Sequence, residues 1–151
     1  MNNISIKTNN GESIEIPLYN RIMIITGNSA SGKTKMLKML NACKNVHQEV
    51  KESSINVDDI VIITDKHQLR SIIDNNVKGK YIFIDHYSFM ENDKSIYNFI
   101  KTSNNIFVIM GHRNAKGLAI QDAILTLEHD GKNYTCKQVY EHGLFKPLVQ
   151  V

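Results

Sequence analysis

Residues 21–40 read Arg-Ile-Met-Ile-Ile-Thr-Gly-Asn-Ser-Ala-Ser-Gly-Lys-Thr-Lys-Met-Leu-Lys-Met-Leu. Arg21 to Thr26 is a short continuous apolar run, the kind that forms a strand buried on both faces. Gly27-Asn28-Ser29-Ala30-Ser31-Gly32-Lys33-Thr34 has the G-x-x-x-x-G-K-T spacing of a phosphate-binding (Walker A) loop. Gly27 and Gly32 permit a backbone path whose N–H groups point inward, where a Cβ would clash or φ would be forbidden. A helix is predicted over Lys33–Cys43, with Met36, Leu37, Met39 and Leu40 as its apolar stripe. Its positive N-terminal end meets the loop at the same point. Lys33 is therefore expected to reach the β- and γ-phosphates of ATP or another nucleoside triphosphate, and Thr34 to offer a hydroxyl to Mg²⁺. The competing reading, a Gly/Ser-rich surface turn, does not account for the strand before the loop and the helix after it.

Outward from this stretch, Ile4 and Ile6, then Ile14, Ile16 and Leu18, alternate with polar residues around Asn10-Gly11. That pattern predicts a β-hairpin whose two central turn residues both take positive φ. Residues 44–58 are polar and read as irregular and mobile. Strands are predicted at 60–64, 81–85 and 106–110. Helices are predicted at Lys66–Asp74 and near Lys94–Thr102, the latter with Ile96, Phe99 and Ile100 on one side. Two further strands, 123–128 and 133–140, flank a turn at Asp130-Gly131. Strands alternating with helices imply an α/β fold with a mainly parallel sheet in three layers. The two hairpins are expected to add antiparallel strands at an edge. The whole chain, 1–151, is read as a single P-loop nucleotide-binding domain.

Composition narrows the rest. The chain has 151 residues, 42% of them hydrophobic, enough for one core and too few for two ordinary domains. A net charge of +3 is too weak to name nucleic acid as a partner. Cys43 and Cys136 have neither metal-type spacing nor the density of a disulfide framework, so both read as thiols in a reducing compartment. The N-terminus lacks the features of a secretory signal, and no apolar run approaches the roughly 20 residues that cross a bilayer. A soluble, cytoplasmic protein with no membrane partner is expected.

Asp85 ends the apolar run Tyr81–Ile84, which puts a carboxylate at the C-terminal edge of a buried strand, where ligands bind in open α/β sheets. It is the candidate to hold the magnesium's water shell. Asp65, after Val61–Thr64, is its rival. Gly111-His112-Arg113 follows the strand 106–110. If that strand lies between the loop strand and the Asp85 strand, His112 can sense the γ-phosphate. Arg113 can then complement charge in its own site or, as an arginine finger, in a neighbouring subunit's. The bland reading of the cluster is a solvated loop. The other histidines (His47, His67, His86, His129 and His142) show no ligand spacing and read as surface or strand-end residues.

These motifs, in this order, resemble the nucleotide-binding core of ABC-type ATPases and their relatives in DNA repair and chromosome maintenance. The likeness runs from the Asn-Gly hairpin through Gly27–Thr34, Tyr81–Asp85 and Ile106–His112 to Ala123–Gly131. It implies that His112 is the γ-phosphate switch. The chain departs from that family in three places. No Leu-Ser-Gly-Gly-type signature occurs between Thr34 and Tyr81, the helical subdomain is missing, and His86 follows Asp85 where the family has a catalytic Glu. With His86 or Glu91 standing in as the base that orients water, unaided hydrolysis should be slow.

The leading expectation is a small ABC/RecA-like ATPase or nucleotide-dependent switch, completed by a second copy or by a protein partner. The alternative is a small-molecule or nucleotide kinase, for which Asp65 with Arg70 would be a faint acceptor site. Only Arg21, Arg70 and Arg113 are available as guanidinium clamps. A third expectation is nucleotide binding without turnover. The basic helix flank Lys33, Lys35, Lys38 and Lys44 leaves contact with DNA or RNA open, although no aromatic residues are interleaved for stacking.

Overall fold

Isoleucine-rich runs form most of a nine-stranded sheet in the structure, a computed structural model that describes residues 3–26, 32–85, 93–110 and 123–139. The strands are β1 (Asn3–Thr8), β2 (Ser13–Pro17), β3 (Ile22–Thr26), β4 (Val50–Ser53), β5 (Ile60–Ile63), β6 (Tyr81–Ile84), β7 (Ile106–Met110), β8 (Ile124–Asp130) and β9 (Asn133–Gln138). The helices among the described residues are α1 (Lys33–Asn45), α2 (Lys66–Asp74) and α3 (Lys94–Thr102). Across the sheet the order is β4-β1-β2-β9-β8-β3-β7-β6-β5. From β8 to β5 every neighbouring pair is parallel. The pairs β1–β2, β1–β4 and β8–β9 are antiparallel, and β2–β9 is parallel. The fold is α/β with a mixed sheet.

All five residues of β3 are buried. Ile22 and Ile24 pack with Leu69 and Ile72 of α2 and with Ile96 and Ile100 of α3. Met23 and Ile25 pack with Met36, Leu37 and Leu40 of α1. The same alternation in β7 puts Phe107 and Ile109 on the α2/α3 face and Val108 and Met110 on the α1 face. The α1 cluster also takes Ile4, Ile6, Ile14 and Ile16 from the opening hairpin. Lys7, Glu128 and Lys137 are exposed, so this half of the sheet is dry on one face only.

Four expectations need correction. The C-terminal hairpin is not at an edge: β9 pairs with β2 and β8 with β3, so it joins the N-terminal hairpin to the parallel strands. Leu125, Leu127, Tyr134 and Cys136 thereby continue one apolar face over α1, and two sheet edges that would otherwise stay unpaired are closed. The segment 44–58 is not irregular throughout. It finishes α1, makes two short 3-10 turns and contributes β4, the outer edge strand paired with β1. At the first turn only Gly11 has positive φ, at 90°. Thr8 N–H donates to Glu12 O at 2.9 Å, and the Thr8 hydroxyl accepts from Glu12 N–H at 3.0 Å. The result is a three-residue loop with glycine in the left-handed position, rather than a two-residue turn. In the second hairpin Asp130 pairs with Asn133, so the turn is Gly131-Lys132, with Gly131 alone at positive φ.

Leu40 is fully buried in the α1 cluster. Leu40→Ala should therefore destabilise the fold by roughly 2–5 kcal/mol in urea unfolding. A change within about 0.5 kcal/mol, as at a surface position, would contradict this packing.

Candidate functional site

Gly32 immediately precedes α1 with φ 95°, a left-handed conformation that glycine adopts without Cβ strain. Its carbonyl accepts the helical bond from Met36 N–H at 2.9 Å. Glycine brings no side chain with which to cap the helix, and the first turn carries no acidic residue. Thr34 is exposed in that turn.

Lys33 is half-buried. Burial lowers the pKa of its ammonium, and the nearby Asp85 charge raises it. The two groups, on separate elements, therefore lie within electrostatic reach of each other. Asp85 directly follows β6 and donates its N–H to Ile63 O at 2.9 Å, extending the β5–β6 pairing by one bond. Since β7 lies between β3 and β6, the Lys33–Asp85 interaction spans the C-terminal end of β7. This is the strand order on which the reading of His112 depends. Residues 27–31, His86, Glu91, His112, Arg113 and His142 lie outside the described residues.

Asp65 has a local role. It is the N-cap of α2, its Oδ1 accepting from Gln68 N–H at 2.8 Å, while Gln68 Oε1 accepts from Thr64 N–H at 2.7 Å. This reciprocal pair is a variant of the capping box. Arg70 donates to Ser95 Oγ at 3.0 Å and to Asp93 Oδ2 at 3.2 Å. Among the described residues no hydrogen bond or ion pair joins Arg70 to Asp65. Arg21 is also engaged, donating to Ile100 O at 2.7 Å and Lys101 O at 2.5 Å at the C-terminal end of α3. Of the lysine flank, Lys35 and Lys38 are exposed, whereas Lys33 interacts with Asp85.

One feature at this end of the sheet escaped sequence reasoning. His129 and Tyr134 are direct cross-strand partners in the β8–β9 hairpin, stacked with ring centroids 4.7 Å apart and planes 16° apart. They touch the start of α1: a Cβ added to Gly32 would lie 3.3 Å from His129 Cβ and 3.4 Å from Tyr134 Cε1. The available signal was two ring residues set symmetrically about a four-residue hairpin tip, which places them side by side on one face.

No protein-family model matches the chain, and no curated protein is significantly similar to it. Among the described residues no group of three or more His, Cys, Asp or Glu gathers as a metal cluster. A magnesium ion carried by phosphates needs only one or two carboxylates, so Thr34 and Asp85 fit that donor set without such a cluster. No helix among the described residues is long and apolar enough to cross a membrane. Cys43 and Cys136 are buried free thiols; burial raises the pKa of both, that of Cys136 to about 12.

Gly32→Ala forces an alanine into the left-handed region against His129 and should destabilise the chain by about 1–2 kcal/mol in urea; unchanged stability would contradict the φ assigned here. A second prediction concerns Asp93, the N-cap of α3, whose carboxylate also meets Lys66 at 3.2 Å. Bonds from the Ser95 hydroxyl and Ile96 N–H, with the Lys66 charge, hold its pKa well below the usual carboxylate range, against a smaller opposing effect of burial. Folding lowers this pKa, so the stabilisation is complete above the unfolded value near 4 and is lost as pH falls below it. Asp93→Ala should lower the thermal midpoint at pH 7, and the gap to wild type should close in acid. A gap that stays constant into strong acid would contradict the assignment.

Proposed function

We propose that the chain is a Mg²⁺-dependent ATP (or other nucleoside triphosphate) binding protein of the P-loop class. In this reading it is a cytoplasmic ABC/RecA-like ATPase or switch, with helices on both faces of the parallel strands and weak hydrolysis when unaided. One observation carries the proposal. A complete G-x-x-x-x-G-K-T run joins a buried strand to a helix, and the lysine of that run interacts with the carboxylate ending another strand, across the strand between them.

In this reading, backbone N–H groups of residues 27–34 cradle the phosphates, and Lys33, within electrostatic reach of Asp85, extends to the β- and γ-oxygens. Thr34 and Asp85 hold the magnesium, which when bound neutralises charge on those oxygens. His112 senses the γ-phosphate, and His86 or Glu91 orients water in place of a catalytic Glu. A second copy or a protein partner completes the site, with Arg113 as arginine finger. The kinase alternative is weakened by the commitment of Asp65, Arg70 and Arg21 to helix ends.

Calorimetric titration with ATP tests the proposal. Lys33→Ala removes charge-assisted bonds to phosphate and should weaken Mg-ATP binding about 10- to 100-fold. Asp85→Asn should weaken binding with Mg²⁺ present and change it little in chelator. Affinity for Mg-ATP unaltered by Lys33→Ala would overturn the proposal.

A further inference from the structure

β8 continues to Asp130, beyond the point where its Thr126 stands opposite Thr26, the last residue of β3. Its final turn of side chains therefore projects past the strand that feeds the glycine-rich loop. His129 is exposed there, and a Cβ added to Gly32, at the entry to α1, would lie 3.3 Å from its Cβ. One face of its ring is covered by the nearly parallel ring of Tyr134, which is itself only 5% exposed. Neither ring nitrogen has a hydrogen-bond partner among the described residues. A flat ring braced by a second ring, on an exposed residue beside the helix start proposed above to take phosphates, matches what a nucleobase needs for stacking.

We propose that His129, braced by Tyr134, is the platform on which the base of the bound nucleotide stacks. This rests on the nucleotide-binding reading above and adds the part of the ligand that the phosphate loop does not address. Stacking is tolerant of base identity, because every base presents a π-face. The platform therefore selects nucleotides over bare polyphosphates, without discriminating strongly between ATP and GTP.

The test titrates the intact chain with Mg-ATP and with magnesium tripolyphosphate, which carries the phosphates without base or sugar. His129→Ala should weaken ATP about tenfold and leave tripolyphosphate unchanged, and His129→Phe should retain wild-type affinity for ATP. The proposal is overturned if His129→Ala weakens both ligands alike, the result of a phosphate contact or of damage to the fold. It is equally overturned if neither ligand is affected, or if His129→Phe is as weak as His129→Ala. Failure of the underlying reading looks different: wild type binds neither ligand, or Lys33→Ala leaves tripolyphosphate binding intact. Either of those results removes both proposals together.

Discussion

Burial of β3 on both faces is the constraint on which the rest of the molecule depends. Its four apolar residues, Ile22 to Ile25, alternate between two clusters, one under α1 and one under α2 and α3. It is hydrogen-bonded in parallel to β7 on one side and β8 on the other. A strand held this way cannot slip by one residue without exchanging its two apolar sets between clusters. Its end at Thr26 is therefore a fixed point, and Gly32 and Lys33 return to the same end of the sheet. The Lys33–Asp85 interaction follows, since β7 supplies one strand's width between the two groups.

The same rigidity explains why the antiparallel half is attached where it is. A two-stranded hairpin with one apolar face is marginal alone. Here each hairpin borrows the other's edge, and both share α1 as a cover. The tip of β8–β9 consequently reaches the entry of α1. Gly32 thus answers to two demands: a left-handed φ at the helix start, and close approach of the His129–Tyr134 stack.

Much of this was legible in the sequence, for physical reasons. Lys66–Asp74 and Lys94–Thr102 are helices over the ranges their apolar spacing predicts, and both begin at aspartate caps. The strands after Ile60, Tyr81 and Ile106 were visible as unbroken apolar runs, as burial on two faces requires. β4 was not visible, because Val50-Lys51-Glu52-Ser53 lies at the sheet's outer edge and buries too little to leave a pattern. The interior place of the C-terminal hairpin was hidden too, since pairing between distant strands leaves no local mark. Turn chemistry misled at Asn10, where the Thr8 hydroxyl and the Glu12 backbone stabilise a longer loop. Of the candidate site, Lys33 was legible as the helix start after the glycine-rich run, and Asp85 as the residue that ends an apolar strand. His129 was not, because its meaning lies in a cross-strand neighbour rather than in sequence spacing.

The central claim is that Lys33, Thr34 and Asp85 together hold a magnesium–nucleotide complex. A crystal structure with Mg²⁺ and a non-hydrolysable ATP analogue tests it most directly. Phosphate oxygens should lie within hydrogen-bonding distance of Lys33 Nζ, with the metal on the Thr34 hydroxyl and within one bridging water of Asp85. A nucleotide bound elsewhere, or a metal more than about 6 Å from the Asp85 carboxylate, would contradict it.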